Sequence, residues 1–218
     1  MSTTTEQLQR QPETLGMPSS SATRRTVTAQ LAVGLRVALV AIVLCGLLYP
    51  LAVLAVSQGL FGGAADGSLI SRDGTVVGSS LIGQQFTKPE YLHPRPSAAG
   101  EGYDGLASAG SNLGPSNPDF EAAVLDRAAA YRQENGLAAD APVPVDAVTA
   151  SGSGLDPEIS PANAELQVTR IAEARDIPAA TVRAVIEDHT TGRTLGVLGE
   201  PGVNVLEVNL ALDGLPHR

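Results

Sequence analysis

From position 37 to position 56 the chain reads VALVAIVLCGLLYPLAVLAV, twenty residues without a charge, and the apolar character persists to Phe61. A helix rises ~1.5 Å per residue, so about 20 residues cross a hydrocarbon core of ~30 Å. Within lipid a helix also satisfies its own backbone, which an irregular segment cannot do. The pattern predicts a transmembrane helix over 29–61, with a kink or loosened turn at Tyr49-Pro50. Positions 1–28, rich in Ser, Thr, Gln and Pro, read as a disordered tail. Gly62, Gly63 and Gly67 make 62–67 a flexible linker, and 68–218 forms a separate domain.

Within that domain the pattern changes to short elements. Residues 68–86 (SLISRDGTVVGSSLIGQQF) hold short apolar pieces split by Asp73-Gly74, a hairpin signal. Residues 87–117 are dominated by Pro, Gly, Ser and Asn, which is long for a passive loop. Phe86, Tyr91, His93, Arg95 and Tyr103 point to a loop ordered by packing. Asn117-Pro118 opens a helix as cap and first-turn proline, with Phe120, Val124, Leu125, Ala128 and Tyr131 at helical spacing and Gly136 as the stop. Residues 143–149 (VPVDAVT) read as an edge strand because of Pro144. Ser160-Pro161 starts a second helix with Ala164, Val168, Ile171 and Ala172 as its stripe. Pro178 opens a third, with Val182, Val185, Ile186 and His189 on one face. Leu206, Val208, Leu210 and Leu212 alternate as a half-buried strand should. The fold class is a single N-terminal transmembrane helix plus a mixed α+β extracytoplasmic domain.

Charge fixes that orientation. The overall formal charge is −9, but the residues after Phe61 carry 21 acidic and 10 basic side chains, a formal −11. Such a domain excludes nucleic acid as a partner, and it disfavours anionic headgroups at its surface. Arg24, Arg25 and Arg36 flank the start of the span, whereas Arg72 alone follows it closely. The positive-inside rule places the N-terminus in the cytoplasm and the domain outside. A cleavable signal peptide is the rival reading, but its apolar region is ~7–15 residues, shorter than this run. The sole cysteine, Cys45, lies in the span, so the outer domain is held by packing without an internal disulfide.

The chemistry-bearing motifs are sparse. The chain has no GxxxxGK[ST], GxSxG, HExxH or paired-cysteine motif. His93, His189 and His217 are scattered; His189 reads as a core or boundary histidine. No catalytic residue and no metal ligand set is expected. Two small-residue loops remain. The first, 108–117 (SAGSNLGPSN), could cradle an anion through backbone amides or form a turn braced by Ser and Asn. The second, 151–156 (SGSGLD), could offer Asp156 to a cation or serve as a turn and cap.

Several of these stretches, taken together, resemble the C subunit of the Kdp potassium-transporting ATPase, the KdpC family. They are the single span, SLIGQQF (80–86), RPSA (95–98), SAGSNLGPSNP (108–118), VTASGSGLDPEISPANAELQV (148–168) and LGEPGVNVLEVNLALD (198–213). The resemblance covers about Leu35 to Asp213. It implies an accessory, non-catalytic subunit that stabilises a complex of a potassium-channel-like subunit and a P-type ATPase subunit in the cell membrane. It further implies a catalytic chaperone role, in which ATP is held in a ternary complex with the ATPase subunit. The residues implied for the nucleotide are Ser108, Gly110, Ser111 and Asn112, with Ala109 standing where the family tends to have glycine. No firmly bound cofactor is implied. The residues alone leave two other classes open: a stand-alone membrane-anchored binding or sensor module, and an anchored hydrolase, for which no nucleophile arrangement is present. Gly46, Tyr49 and Pro50 are expected to pack against partner helices, since small residues permit close approach in lipid.

Overall fold

The computed structural model describes residues 20–215 and divides into two compact units that meet at Leu60 and Phe61. In the first unit, helix α1 (Ser20–Val43) runs into a π-helical turn (Leu44–Leu48) and then into α2 (Tyr49–Ala65). The turn is wide because Tyr49 N–H donates to the Leu44 carbonyl, five residues back. The next residue, Pro50, has no N–H to offer, so the loosened turn expected there takes the form of a π-bulge. The stretch long and apolar enough to cross a membrane is Thr26–Ala65, 40 residues, none of whose apolar window is buried in the protein. At ~1.5 Å per residue that is about 60 Å, longer than a hydrocarbon core needs. The tail expected at 1–28 lies in part outside the described residues, and from Ser20 onward it is helical. The helical backbone breaks at Phe61 (φ −138°, ψ 40°), and Gly62 and Gly63 lie in the last turn of α2.

The second unit begins with the expected hairpin. Strand β1 (Leu69–Arg72) pairs antiparallel with β2 (Thr75–Ser79), Arg72 facing Thr75 across the turn. Asp73 and Gly74 both adopt positive φ (52° and 78°), as a two-residue turn matched to strand twist requires. Helix α3 (Pro118–Glu134) starts as expected, Asn117 Oδ1 accepting from Asp119 N–H at 2.8 Å, and ends before Gly136, whose φ is 64°. Only Tyr131 of its stripe is buried, and Leu125 is 62% exposed.

Helix α4 (Pro161–Arg175) is the centre of the core. Ser160 caps it, and Ala164, Val168, Ile171 and Ala172 are all buried. Helix α5 (Ala179–Asp188) packs beside it through Val182 and Ile186. A small antiparallel sheet of β3 (Glu158–Ile159), β4 (Thr190–Thr191) and β5 (Gly202–Asn204) has the order β3-β5-β4, with the central strand wholly buried.

Two strand expectations are corrected. Residues 143–149 form a single 3₁₀ turn at Val145–Ala147. Pro142 and Pro144 cannot donate to a ladder, and the turn aims Asp146 at the start of α4, where its carboxylate accepts from Ser160 N–H, Ser160 O–H and Asn163 Nδ2–H. Residues 205–213 form helix α6 (Val205–Asp213), not a strand. Asn204 Oδ1 accepts from Glu207 N–H at 3.1 Å, a capping start, and Val205, Val208, Asn209 and Leu212 make the helical stripe. A short run of alternating apolar residues satisfies periods 2 and 3.6 alike, and the cap decides between them.

The long loop 87–117 is ordered by side-chain amides that replace a strand partner. Asn209 donates to the Leu92 carbonyl and accepts its N–H, at 2.9 and 2.7 Å. Gln167 does the same for His93, at 3.1 and 2.8 Å. Leu92 is thereby plugged, fully buried, between α4 and α6. Buried backbone groups must find partners, and here two amides supply four of the bonds a neighbouring strand would give.

Candidate functional site

The motif segments 95–98, 108–112 and 151–156 are distant in sequence but form one junction on the loop side of the domain. Arg95 reaches Asp156, Nη1 to Oδ2 at 2.7 Å, with both side chains largely covered. Asp156 Oδ1 also accepts from Glu158 N–H at 3.1 Å, so this carboxylate is a turn and pairing group. Ser97 Oγ donates to the Gly154 carbonyl at 2.7 Å and accepts from the N–H groups of Ala99 and Tyr103. Tyr103 O–H donates to the Arg95 carbonyl at 2.9 Å, and burial pushes its phenol up to about 12. It is therefore a neutral donor at any physiological pH.

The two small-residue loops touch directly. Ser108 O–H and Ala109 N–H both donate to the Ser153 carbonyl, at 2.9 and 3.0 Å. Gly110 lies so close to Gly152 that a Cβ there would stand 3.0 Å from its carbonyl oxygen. Gly154, at φ 67°, packs against the Ala109 carbonyl and the Ala99 N–H. Asn112 takes a left-handed conformation (φ 54°), which asparagine tolerates. Of the four residues implied for a nucleotide, Ser108, Ser111 and Asn112 are exposed and Gly110 is half-buried. The Ala109 amide at the centre of the loop already donates inward.

Beside the junction a cleft of about 320 Å³ opens between the loop and α3, lined among others by His93, Arg95, Tyr103, Arg127, Tyr131 and Glu134. His93, Arg95, Arg127 and Glu134 in its lining are engaged with the protein. His93 Nδ1 lies 2.7 Å from Glu134 Oε1, and its Nε2 lies 2.9 Å from the Lys88 carbonyl. The hydrogen bond from His93 holds the Glu134 carboxyl below its usual range. Arg127 donates to the Val148 carbonyl at 3.2 Å. Among the described residues, only Arg95 Nε is a buried side-chain donor or acceptor without a partner, and none of His, Cys, Asp or Glu gather in threes to hold a metal. The His93–Glu134 contact braces the loop against α3. His189 sits at the end of α5, Nδ1 2.8 Å from the Val185 carbonyl, a boundary histidine as expected. His217 lies outside the described residues.

A family model described as K+-transporting ATPase, c chain, matches residues 31–214, which take in most of the one candidate membrane span among the described residues and nearly all of the mixed α+β unit that follows it. The chain belongs to the KdpC family. A protein of Mycobacterium tuberculosis named Potassium-transporting ATPase KdpC subunit is 59% identical over 186 residues, 85% of this chain and 98% of the relative. Its namesakes in Beijerinckia indica and Gemmatimonas aurantiaca are 58% and 56% identical, each over 78% of this chain and 86% and 85% of their own lengths.

What the pattern of the chain missed is the set of buried polar anchors. Asn163, Gln167, Arg170 and Asn209 are all at most 9% exposed. They fall on helix faces otherwise made of Ala, Val, Ile and Leu, and a polar residue inside an apolar stripe is the signal that could have found them.

Proposed function

We propose that the chain is an accessory subunit of an ATP-driven potassium uptake complex. Its helix is the anchor and assembly element in the membrane, and its acidic domain stands outside the cytoplasm against the integral potassium-channel-like and P-type ATPase subunits. The observation that carries this reading is the family match across span and domain together. Two further features support it. Arg24, Arg25 and Arg36 before the span, against Arg72 alone shortly after it, support that orientation. His93, Arg95, Arg127 and Glu134 in the cleft are committed to internal contacts, which suits a recognition surface and not a catalytic one.

An outer domain has no access to cytoplasmic ATP, and its charge repels polyphosphate. Potassium uptake support therefore rests on assembly in this reading, with Ser108, Gly110, Ser111 and Asn112 as part of the braced junction. The alternative of a stand-alone sensor would need a ligand of its own.

A single preparation tests both the assembly and the orientation. Cells carrying the other subunits and a C-terminally tagged full chain are converted to spheroplasts. Externally added protease should remove the tag, and detergent extraction through the tag should recover two larger membrane subunits. A protected tag sinks the orientation. Recovery of a lone monomer carrying a small ligand sinks the assembly reading in favour of the sensor.

A further inference from the structure

Between β4 and β5 the chain extends a small finger, residues 193–200, every position of which is exposed. The finger is closed by its own backbone. Thr194 N–H donates to the Leu198 carbonyl at 2.8 Å, Leu198 N–H returns to Thr194 at 3.0 Å, and Gly196 N–H donates to Arg193 at 2.9 Å. At its base Arg193 Nη2 pairs with Glu200 Oε2 at 2.6 Å. The tip carries Leu195, Val197 and Leu198, exposed by 86%, 72% and 60%. Leu195 is held at φ 55°, a left-handed conformation that a leucine adopts only at a cost and that a turn could adopt more easily with Gly or Asn. Three large apolar side chains on a hydrogen-bonded, pre-shaped tip are what an interface anchor needs, because little ordering entropy remains to be lost on docking.

Charge selects the occupant. Arg193 is neutralised by Glu200, which leaves Glu187 and Asp188, both exposed at the end of α5 leading toward the finger, as the local net charge. The domain as a whole carries a formal −11. Anionic headgroups and a second copy of this domain both present the same sign. The tip also lacks the Trp, Tyr and free basic residues that settle segments at a lipid interface.

We infer that the Leu195–Leu198 finger is the docking anchor of the outer domain, inserting into an apolar pocket with a cationic rim on the external surface of an integral subunit. This rests on the assembly reading above.

The test uses the full chain expressed with its membrane subunits. A photo-crosslinking amino acid in place of Val197 should give an adduct with one of the larger subunits. An adduct with a second copy, with lipid alone, or no adduct overturns the inference. In parallel, Leu195→Asn combined with Leu198→Ser removes the apolar tip, and asparagine keeps the left-handed backbone at position 195. At least about a tenfold faster loss of the chain from the detergent-extracted complex is expected, in line with truncation of an interface anchor. Thermal unfolding of the full chain in micelles should be unchanged, because both side chains are already in solvent. Retention equal to that of the wild-type chain overturns the inference and leaves the assembly reading standing. Recovery of the wild-type chain without any larger subunit removes both.

Discussion

Replacing Arg170 by methionine should destabilise the second unit by about 3–5 kcal/mol, the range for breaking a buried charged network from one side. Arg170 is 9% exposed and spends its guanidinium on four acceptors. Nη1 donates to the carbonyls of Pro89 and Tyr91 at 2.6 and 3.0 Å, Nη2 to Gln167 Oε1 at 2.7 Å, and Nε to Asn135 Oδ1 at 3.0 Å. Methionine fills much of the volume but takes the guanidinium donor from each of these acceptors, two of them in buried bonds, at about 1–3 kcal/mol for each that water cannot reach. It also frees Gln167 Oε1 from one of its two donors, which loosens the clamp on His93. Lysine should not rescue the fold, since a single ammonium cannot reproduce a planar fork. Denaturant unfolding of the full chain in detergent is the measurement, and a loss below about 1 kcal/mol would show that the loop is held by apolar contact alone.

The second large effect belongs to the loop junction. Gly154→Ala places a methyl group 2.7 Å from both the Ala109 carbonyl and the Ala99 N–H, in a backbone conformation (φ 67°) that alanine disfavours. Left-handed strain of about 1–2 kcal/mol adds to overpacking of about 1–3 kcal/mol. A total near 2–4 kcal/mol is expected, together with release of residues 97–112 to limited proteolysis. Gly105→Ala is the matched control. Its site is open and its φ is not positive, so a change within about 0.5 kcal/mol is expected. Equal proteolysis of the two variants would mean that the three motif segments do not brace one another.

Both effects arise where the chain's pattern was hardest to read. The span, the Asp73-Gly74 hairpin and the starts of α3 and α4 are legible because each is set by residues within a few positions: an uncharged run, a two-residue turn, a cap followed by proline. The stripe of α4 is legible for the same reason, as Ala164, Val168, Ile171 and Ala172 follow one helix's own period. Segment 143–149 deceived because its valines outweighed its prolines, whereas its structure is decided by Asp146 reaching Ser160 and Asn163, more than ten residues away. Segment 205–213 deceived because its leucines alternate, although Asn204 caps it as a helix. At the junction, residue types pointed to turns correctly, but nothing local says that Ser108 and Ala109 meet Ser153, or that Ser97 meets Gly154. Ser108 and Ser153 are 45 positions apart in the chain, and Ser97 and Gly154 are 57 apart. The loop 87–117 shows both sides of this limit. Its aromatic and basic residues signal packing, while the amides that order it lie on α4 and α6.

The same geometry makes the braced second unit the part on which a role in the complex turns. Potassium uptake from micromolar medium, followed as growth and as ion accumulation in cells that depend on this complex, tests it most directly when the chain ends at Phe61 and retains only its span. Loss of uptake, with the larger subunits failing to stay together on extraction, is the expected result. Uptake equal to that of the full-length chain would contradict it, because the helix would then suffice and the braced second unit would have no part in the complex.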